Sequence, residues 1–471
     1  MVKLQTRTSF VCRECGADSP RWAGRCPQCD QWNTMEEVAL RSPRLGSMAS
    51  QLVSKPPREL STLGEEEISR IRLPFDEFNR VLGGGIVPGS LVLIGGEPGI
   101  GKSTLLLQSV APLADDHNPI LFVSGEESEQ QIRLRASRLG IQGAGLYIHA
   151  ANSLDTIIPH MDRLSPRLVI IDSIQTVYLE DSPSSPGTVG QIREATWRLM
   201  EWSKSTMIPV CITGHVTKEG TIAGPRLLEH MVDVVLYLEG EPYSPYRLLR
   251  TVKNRHGSTN EVGILEMGDK GLRDVADPSR ALLSERLPGM VGSAILPTLE
   301  GTRPLLVEVQ ALTSLTSFSL PRRTANGVDL NRLLLVSAIL TKRLGLVLSN
   351  QDLILNVVGG LRIREPAADL AMALAIVSSL KNAPIDPGLV AMGELGLSGE
   401  VRSVSQLERR LREAAKMGFQ RGIIPKPAAR GLPALKGLEV VEVSLLSEAV
   451  KVALPGQGRR PSRPRGPAEG E

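Results

Sequence analysis

LVLIGGEPGIGKST, residues 91–104, decides the fold. An apolar run typical of a buried strand leads into a glycine-rich loop, and the stretch STLLLQSV that follows favours a helix. The spacing of Gly96, Gly101, Lys102 and Ser103 satisfies the phosphate-loop pattern, in which backbone N–H groups close around phosphates at the amino end of a helix. The sequence therefore predicts an α/β domain that binds and hydrolyses ATP.

The loop residues are each expected to contact the nucleotide. Lys102 would reach the β- and γ-phosphates, and the hydroxyl of Ser103 would ligate Mg²⁺. The residues expected to bind the cofactor are Gly96, Glu97, Pro98, Gly99, Ile100, Gly101, Lys102, Ser103 and Thr104.

Polar residues follow three other apolar runs. LVIID ends at Asp172, which either holds Mg²⁺ or caps the next segment. ILFVSG is followed by Glu126 and Glu127, one of which is expected to orient and activate the attacking water. Glu126 is preferred, because Glu127 is expected to begin a helix. VCITG is followed by His215, expected to sense the γ-phosphate and relay its state to residues 216–226. That loop is either a nucleic-acid contact or a solvated surface loop.

Apolar runs separated by helical stretches indicate a parallel sheet covered on both faces. The predicted strands are 91–96, 120–125, 168–172, 210–214 and 234–240, and the clearest helices are Glu127–Arg138 and Val189–Lys204. A second α/β unit follows, with strand candidates at 294–301 and 305–312 and helices at 331–344 and 366–380.

The first thirty residues contain four of the five cysteines. Two residues separate Cys12 from Cys15, and two separate Cys26 from Cys29, and two such pairs suit tetrahedral Zn²⁺. So short a module would depend on the metal for its stability. Trp22 is expected to form its small core rather than a nucleic-acid contact.

Composition is that of a globular protein, with 41% hydrophobic and 22% charged residues. The net charge of +3 neither demands nor excludes nucleic acid. No run approaches the roughly 20 apolar residues of a membrane span, and no secretory signal is recognised. Cysteine clustering without an export signal favours a cytoplasmic location and no membrane partner.

Five regions are expected from these patterns. They are a zinc finger at 1–38, a linker at 39–64, an ATPase domain at 65–278, a second α/β domain at 279–455 and a disordered tail at 456–471.

Several segments together resemble the RadA (Sms) family of bacterial DNA-repair proteins. They are the four-cysteine finger, residues 81–108, VSGEES (123–128), DSIQT (172–176) and KNRHG (253–257). The resemblance implies a RecA-like ATPase core that works as a hexameric ring on single-stranded and branched DNA during recombination. It also implies branch migration or D-loop extension, and a recombinase partner.

The segment KNRHG departs from the family's usual KNRFG at His256, which puts an aromatic role there in doubt. Its basic pair is retained. In ring helicases a similar pair reaches the γ-phosphate of the neighbouring subunit, which implies catalytic roles in trans for Lys253 and Arg255. The alternative is that both bind DNA phosphates.

The C-terminal domain resembles the proteolytic domain of Lon, an α/β fold of the ribosomal S5 type. The resemblance covers 359–380 and 393–426. Ala367 stands at the position of the nucleophile and Glu408 at that of the catalytic lysine, so the fold is implied without protease chemistry. Such a domain would scaffold the ring, with Arg362, Arg364, Lys342 and Arg343 as candidate DNA contacts.

Three hypotheses follow. The first is a DNA-dependent ATPase and branch-migration motor. The second is a Lon-type ATP-dependent protease, against which the missing Ser and Lys count. The third is a RecA-like switch that binds ATP but moves nothing.

Overall fold

The computed structural model describes residues 7–12, 18–19, 21–27, 30–40, 59, 69–182, 184–215, 227–241, 244–318, 320–426 and 432–454. The expected linker lies outside the described residues except for its first two residues and Glu59, and the expected tail and the loop 216–226 lie wholly outside them. Two compact units are present. One comprises residues 1–240 and 245–275, and the other comprises 241–244 and 276–471.

The amino-terminal ribbon is a three-stranded antiparallel sheet of β1 (Arg7–Cys12), β2 (Asp18–Ser19) and β3 (Met35–Leu40), in the order β2-β1-β3. Cys12, Cys26 and Met35 are buried together, with Phe10 packed against them. The expectation that Trp22 forms the core is wrong, because Trp22 is 59% exposed. Buried sulfur atoms occupy the small interior instead.

The larger sheet of the first unit has nine strands, in the order β12-β11-β10-β9-β4-β8-β7-β5-β6. Its strands are β4 (Leu91–Gly96), β5 (Ile120–Ser124), β6 (Leu146–Ala150), β7 (Leu168–Asp172), β8 (Val210–His215), β9 (Val234–Glu239), β10 (Tyr246–Asn254), β11 (Val262–Gly268) and β12 (Gly271–Asp274). Strands β4 to β9 pair in parallel, whereas β10 to β12 extend the sheet antiparallel.

Helices surround this sheet. They are α1 (Asp76–Leu82), α2 (Lys102–Val110), α3 (Glu129–Arg138), α4 (Leu154–Leu164), α5 (Val189–Thr206) and α6 (Leu227–Met231), with a 3-10 turn at Ala111–Leu113. Val92 and Ile94 pack into one buried cluster and Leu91 and Leu93 into another, because successive strand residues point to opposite faces. The sheet is therefore covered on both faces, as predicted.

The start predicted for the helix Glu127–Arg138, which is α3, was wrong by two residues. Ser128 is the N-cap of α3, and its side chain accepts a hydrogen bond from the backbone N–H of Gln131 while that residue's side chain returns one. This reciprocal pairing fixes the helix start after Glu127. Glu127 instead forms an ion pair with Arg135.

The second unit is built on a seven-stranded sheet in the order β15-β16-β14-β13-β17-β20-β21. Its strands are β13 (Ser293–Glu300), β14 (Arg303–Leu315), β15 (Arg323–Asn326), β16 (Gln351–Val357), β17 (Leu389–Ala391), β20 (Arg421–Pro425) and β21 (Glu439–Val443). A separate two-stranded ladder joins β18 (Glu394–Leu395) and β19 (Val401–Arg402).

The helices of this unit are α7 (Pro278–Leu282), α8 (Leu330–Leu344), α9 (Asp369–Lys381), α10 (Leu407–Lys416) and α11 (Leu446–Ala453). The predicted helix at 366–380 begins as a 3-10 turn, Pro366–Ala368, and becomes α9. Every residue from Asp369 to Ser378 is buried, so α9 is a central helix rather than an amphipathic one.

None of the described helices is long and apolar enough to span a membrane.

Candidate functional site

The phosphate loop joins the carboxyl end of β4 to the amino end of α2. Gly99 and Gly101 adopt the left-handed region, with φ of 77° and 114°. A Cβ on Gly101 would also lie 2.7 Å from Cε of Met267, and one on Gly96 would lie 2.6 Å from the carbonyl oxygen of Leu238. Backbone conformation therefore requires glycine at 99 and 101, and the carbonyl of Leu238 leaves space only for glycine at 96.

Lys102, the first residue of α2, is buried at the centre of the site. Its Nζ donates to the carbonyl oxygens of Gly96 and Glu97 at 2.9 and 3.0 Å. The same atom lies 3.3 Å from Nδ1 of His215. Burial lowers the pKa of Lys102, although Asp172 and Glu126 oppose that shift. The ammonium group is thus held where its charge is poorly solvated, which favours contact with phosphate oxygens.

Glu126 and His215 form the next link of this network. Nε2 of His215 lies 3.1 Å from Oε1 of Glu126. An ammonium group can only donate, so Nδ1 of His215 accepts from Lys102. The proton of the His215 ring is then on Nε2, which donates to Glu126. The His215 ring therefore connects the phosphate-loop lysine to the carboxylate expected to activate water.

Glu126 is held as an ionised carboxylate. Its Oε1 accepts a 2.6 Å hydrogen bond from Oγ of Ser173. Burial opposes ionisation, but the hydrogen bonds from Ser173 and His215, with the charge of Lys102, together hold the pKa of Glu126 below its usual value. An ionised carboxylate in this position is able to accept a proton from water.

Asp172 lies at the carboxyl end of β7. Its Oδ1 accepts a 2.6 Å hydrogen bond from Oγ1 of Thr213 on β8. The peptide bond between Asp172 and Ser173 is cis. The neighbouring hydroxyl orients the carboxylate and leaves its second oxygen for a metal ligand, as Mg²⁺ coordination requires.

The structure thus brings Lys102, Glu126, Asp172 and His215 together at the carboxyl edge of the sheet, where open α/β folds bind ligands. Sequence reasoning missed Ser173 and Thr213. Their positions in the sequence could have indicated them, because Ser173 directly follows Asp172 and Thr213 is two residues before His215. It also missed Arg247, whose Nε donates to the carbonyl oxygen of Ile100 in the phosphate loop at 3.3 Å.

Lys253 and Arg255 are not part of this cluster. Nζ of Lys253 donates to the carbonyl oxygens of Glu229 and His230 at 2.7 and 3.1 Å. Arg255 pairs with the buried Asp233, whose amide in turn donates to the carbonyl of Leu91. Arg255 is therefore level with the amino end of β4, roughly 17 Å along the strand from the phosphate loop at a rise of about 3.3 Å per residue.

His256, which follows this pair, is half-buried. Its backbone N–H donates to Oδ1 of Asn254, and its carbonyl accepts from Arg70. Burial lowers the pKa of His256, which favours the neutral ring. The backbone of this turn packs closely, since a Cβ on Gly83 would lie 3.3 Å from Cα of Gly257, and Nε2 of the His256 ring is buried without a hydrogen-bond partner among the described residues.

The ribbon contains candidate donors for Zn²⁺. Cys12 and Cys26 are fully buried beside each other, and Cys15 and Cys29 lie outside the described residues. Within the described ranges, no group of three or more His, Cys, Asp or Glu side chains forms a metal site. Two buried thiols, packed with Met35 and Phe10 in the described part of the ribbon, fit the chemistry of a structural Zn²⁺ site.

The positions of the Lon nucleophile and lysine contain no catalytic pair. Ala367 is buried, and its carbonyl accepts from the N–H of Gly393. Glu408 faces solvent and forms an ion pair with Arg412 one helical turn away. Arg410, on the same helix as Glu408, is buried and forms an ion pair with Glu365, which directly precedes the 3-10 turn Pro366–Ala368.

Comparison with protein-family models gives three matches. Residues 56–221 match the AAA domain, 10–37 match a rubredoxin metal binding domain, and 307–428 match subunit ChlI of Mg-chelatase. These matches confirm the predicted fold class, with an ATPase core, a zinc ribbon and a Lon-like α/β domain. The first match also makes the chain an ATP-hydrolysing enzyme of the RecA-like class.

Curated relatives match nearly the whole chain. The DNA repair protein RadA of Bacillus subtilis is 50% identical over 456 residues, covering 96% of this chain and 100% of the relative. The protein of the same name from Halalkalibacterium halodurans is 50% identical over 452 residues, covering 95% and 99%. That from Listeria monocytogenes is 49% identical over 457 residues, covering 97% and 100%. The chain belongs to the RadA family of bacterial DNA repair proteins.

Proposed function

We propose that the chain is a DNA-dependent ATPase that acts in homologous recombination and DNA repair as a ring-shaped motor, promoting branch migration or D-loop extension. The observation that carries the proposal is the separation of Lys253 and Arg255 from the phosphate loop of their own chain. In a ring with head-to-tail contacts, the pair at one end of a subunit meets the opposite end of the next.

In this proposal the nucleotide site has two halves. One subunit supplies Lys102 to the β- and γ-phosphates, Ser103 and Asp172 to Mg²⁺, and Glu126 to the attacking water. The neighbouring subunit supplies Lys253 and Arg255 to the γ-phosphate. The exposed fraction of Arg255, 54%, leaves much of its guanidinium group accessible to such a partner.

His215 connects hydrolysis to movement in this scheme. A terminal phosphate attracts Lys102, and the contact of Lys102 with His215 is then lost. His215 is followed directly by residues 216–226, which lie outside the described residues and were expected to contact DNA. In this scheme, a change in the position of the His215 ring is passed directly to the adjoining candidate DNA-binding segment.

The remaining regions are assigned accordingly. We assign residues 1–38 to a zinc finger, 65–278 to the ATPase domain and 279–455 to a Lon-like domain that scaffolds a hexamer. The absence of a hydroxyl at Ala367 and of a lysine at Glu408 speaks against the protease hypothesis. We further propose a recombinase partner, as the family resemblance implies.

DNA stimulation of ATP turnover tests the proposal. We expect phosphate release to rise several-fold when single-stranded DNA is added, and we expect a labelled branched DNA to be resolved only when ATP is hydrolysed. The matched control is the Lys102→Ala variant, which should do neither. Turnover that is indifferent to DNA, together with no branch movement, would favour the non-translocating switch instead.

A further inference from the structure

Gln175 has a buried side-chain amide in the turn that follows β7. Among the described residues, neither its Oε1 nor its Nε2 has a hydrogen-bond partner. The other polar side chains of this turn are all paired: Asp172 with Thr213, Ser173 with Glu126, and Thr176 with the carbonyl of Ser173. Gln175 is thus the unsatisfied member of an otherwise satisfied group.

Such an amide is costly to keep. A buried donor or acceptor without a partner loses its hydration and gains nothing in exchange. Methionine is similar in length and would fill the same space without that cost. In this arrangement, an apolar residue at position 175 would therefore stabilise the fold better than the glutamine does.

The amide lies against the end of β8. Nε2 of Gln175 is 3.6 Å from the place that a Cβ of Gly214 would occupy. The ladder between β7 and β8 ends at Ile171 and Ile212, and the carbonyl of Thr213 then accepts from the N–H of Ile174. Backbone groups alternate in direction along a strand, so the N–H and C=O of His215 point toward β7, as those of Thr213 do. Gln175 directly follows Ile174, the residue that bonds Thr213, in the turn that those groups face.

We propose that Gln175 is a positioning residue for ATP hydrolysis, whose amide hydrogen-bonds the backbone of His215 once Lys102 leaves the ring of His215 for the terminal phosphate. A side-chain amide carries one acceptor and a donor group, which match the N–H and C=O of a single residue. The new contact fixes His215 after its Lys102 contact is lost, and through His215 it fixes Glu126.

This inference deepens the proposed function but rests only on ATP hydrolysis. Basal turnover without DNA is the readout, so a failure of DNA dependence leaves the test of Gln175 intact. The role of Gln175 is also separate from the contact between subunits, because its neighbours Gly214 and His215 belong to its own chain.

The test compares Gln175→Met with Gln191→Met in the full-length protein. Gln191 is fully buried in the same unit. Its amide, oriented to satisfy both groups, lies within 2.9 Å of Ser182 and Ser184 and 2.6 Å from the amide of Leu179. Melting temperature is measured without nucleotide, with ADP and with a non-hydrolysable ATP analogue, alongside kcat and KM for ATP.

We expect Gln175→Met to melt no lower than wild type without nucleotide, whereas Gln191→Met melts lower. The rise in melting temperature caused by the ATP analogue should shrink in Gln175→Met, while the rise caused by ADP is retained. Its kcat should fall about tenfold or more with KM within about twofold, as expected when an interaction forms only beyond substrate binding.

Two results would overturn the proposal. An unchanged kcat shows that the amide has no part in hydrolysis. A lower melting temperature without nucleotide, or failure to fold, shows that the amide is already satisfied and acts as an ordinary structural group.

Discussion

Removal of Arg410 is predicted to destabilise the second unit severely. The guanidinium group of Arg410 is fully buried and pairs with Glu365, which is 22% exposed. Nη1 donates to Oε1 of Glu365 at 2.6 Å and to the carbonyl of Pro297 at 2.8 Å, and Nε donates to the carbonyl of Ser405 at 2.9 Å. Arg410→Met would leave this carboxylate and two carbonyls without their donor.

Breaking a buried ion pair by removing one partner costs about 3–5 kcal/mol. For a unit of this size, each kcal/mol lowers the melting temperature by about 2–4 °C, so the transition of the second unit should fall by roughly 6–20 °C. Differential scanning calorimetry of the full-length protein measures this shift. Replacing Glu365 by Leu as well should recover part of the loss, because no unpaired charge remains.

Arg412→Met is the matched control. Arg412 lies on the same helix and pairs with Glu408, but it is 65% exposed. An exposed pair one turn apart contributes only a few tenths of a kcal/mol. If Arg410→Met melts no lower than Arg412→Met, the view that the buried Arg410–Glu365 pair stabilises this unit is wrong.

Three further predictions concern the ATP site and the ribbon. Lys102→Ala should lower phosphate release by about 10²-fold or more while circular dichroism stays unchanged, because the phosphates lose their preorganised cation; substantial residual turnover would contradict the site. Ser173→Ala removes a hydrogen bond that lowers the pKa of Glu126, so that pKa should rise. A carboxylate with a depressed pKa loses its ionised form as pH falls through that pKa, so the acid limb of the kcat profile should move to higher pH, and an unmoved limb would separate Glu126 from catalysis. Cys26→Ser should release Zn²⁺, measured by a chromogenic chelator, and leave basal turnover within about twofold; retained zinc would exclude Cys26 as a ligand.

The central strands were predictable because they are buried on both faces. Strands β4 and β7 match their predicted ends, and β5, β8 and β9 differ by one residue. In contrast, β6 lies at the sheet edge and is only partly buried, so its sequence LYIHA has no continuous apolar run. Strand β10 also lacks a continuous apolar run and was missed, since its sequence YRLLRTVKN places charged residues on a half-exposed surface.

The hydroxyl groups of the site could not be predicted from local sequence. Thr213 reaches Asp172 because β8 lies beside β7, and Ser173 reaches Glu126 because β5 lies on the other side of β7. That order of strands is a property of the folded sheet and is not encoded in any short motif. The Gln175 amide is similar, since its unpaired state is recognisable only when its neighbours are known.

Trp22 shows the limit of a size argument. A large aromatic residue in a small module is usually its core, but a ribbon that buries cysteine sulfur atoms has no room for an indole. The cysteines and Met35 therefore occupy the interior that a size argument assigned to Trp22.

Subunit mixing tests most directly whether one subunit completes the ATP site of the next. The Lys102→Ala protein is mixed with a Lys253→Ala/Arg255→Ala protein, each inactive alone, and phosphate release is measured after reassembly. At equal amounts, about a quarter of the head-to-tail interfaces combine an intact phosphate loop with an intact basic pair. We predict that turnover returns at these interfaces, because a cation supplied in trans is worth about 10³–10⁵ in rate. Turnover that stays at the level of the separate variants would contradict a shared site.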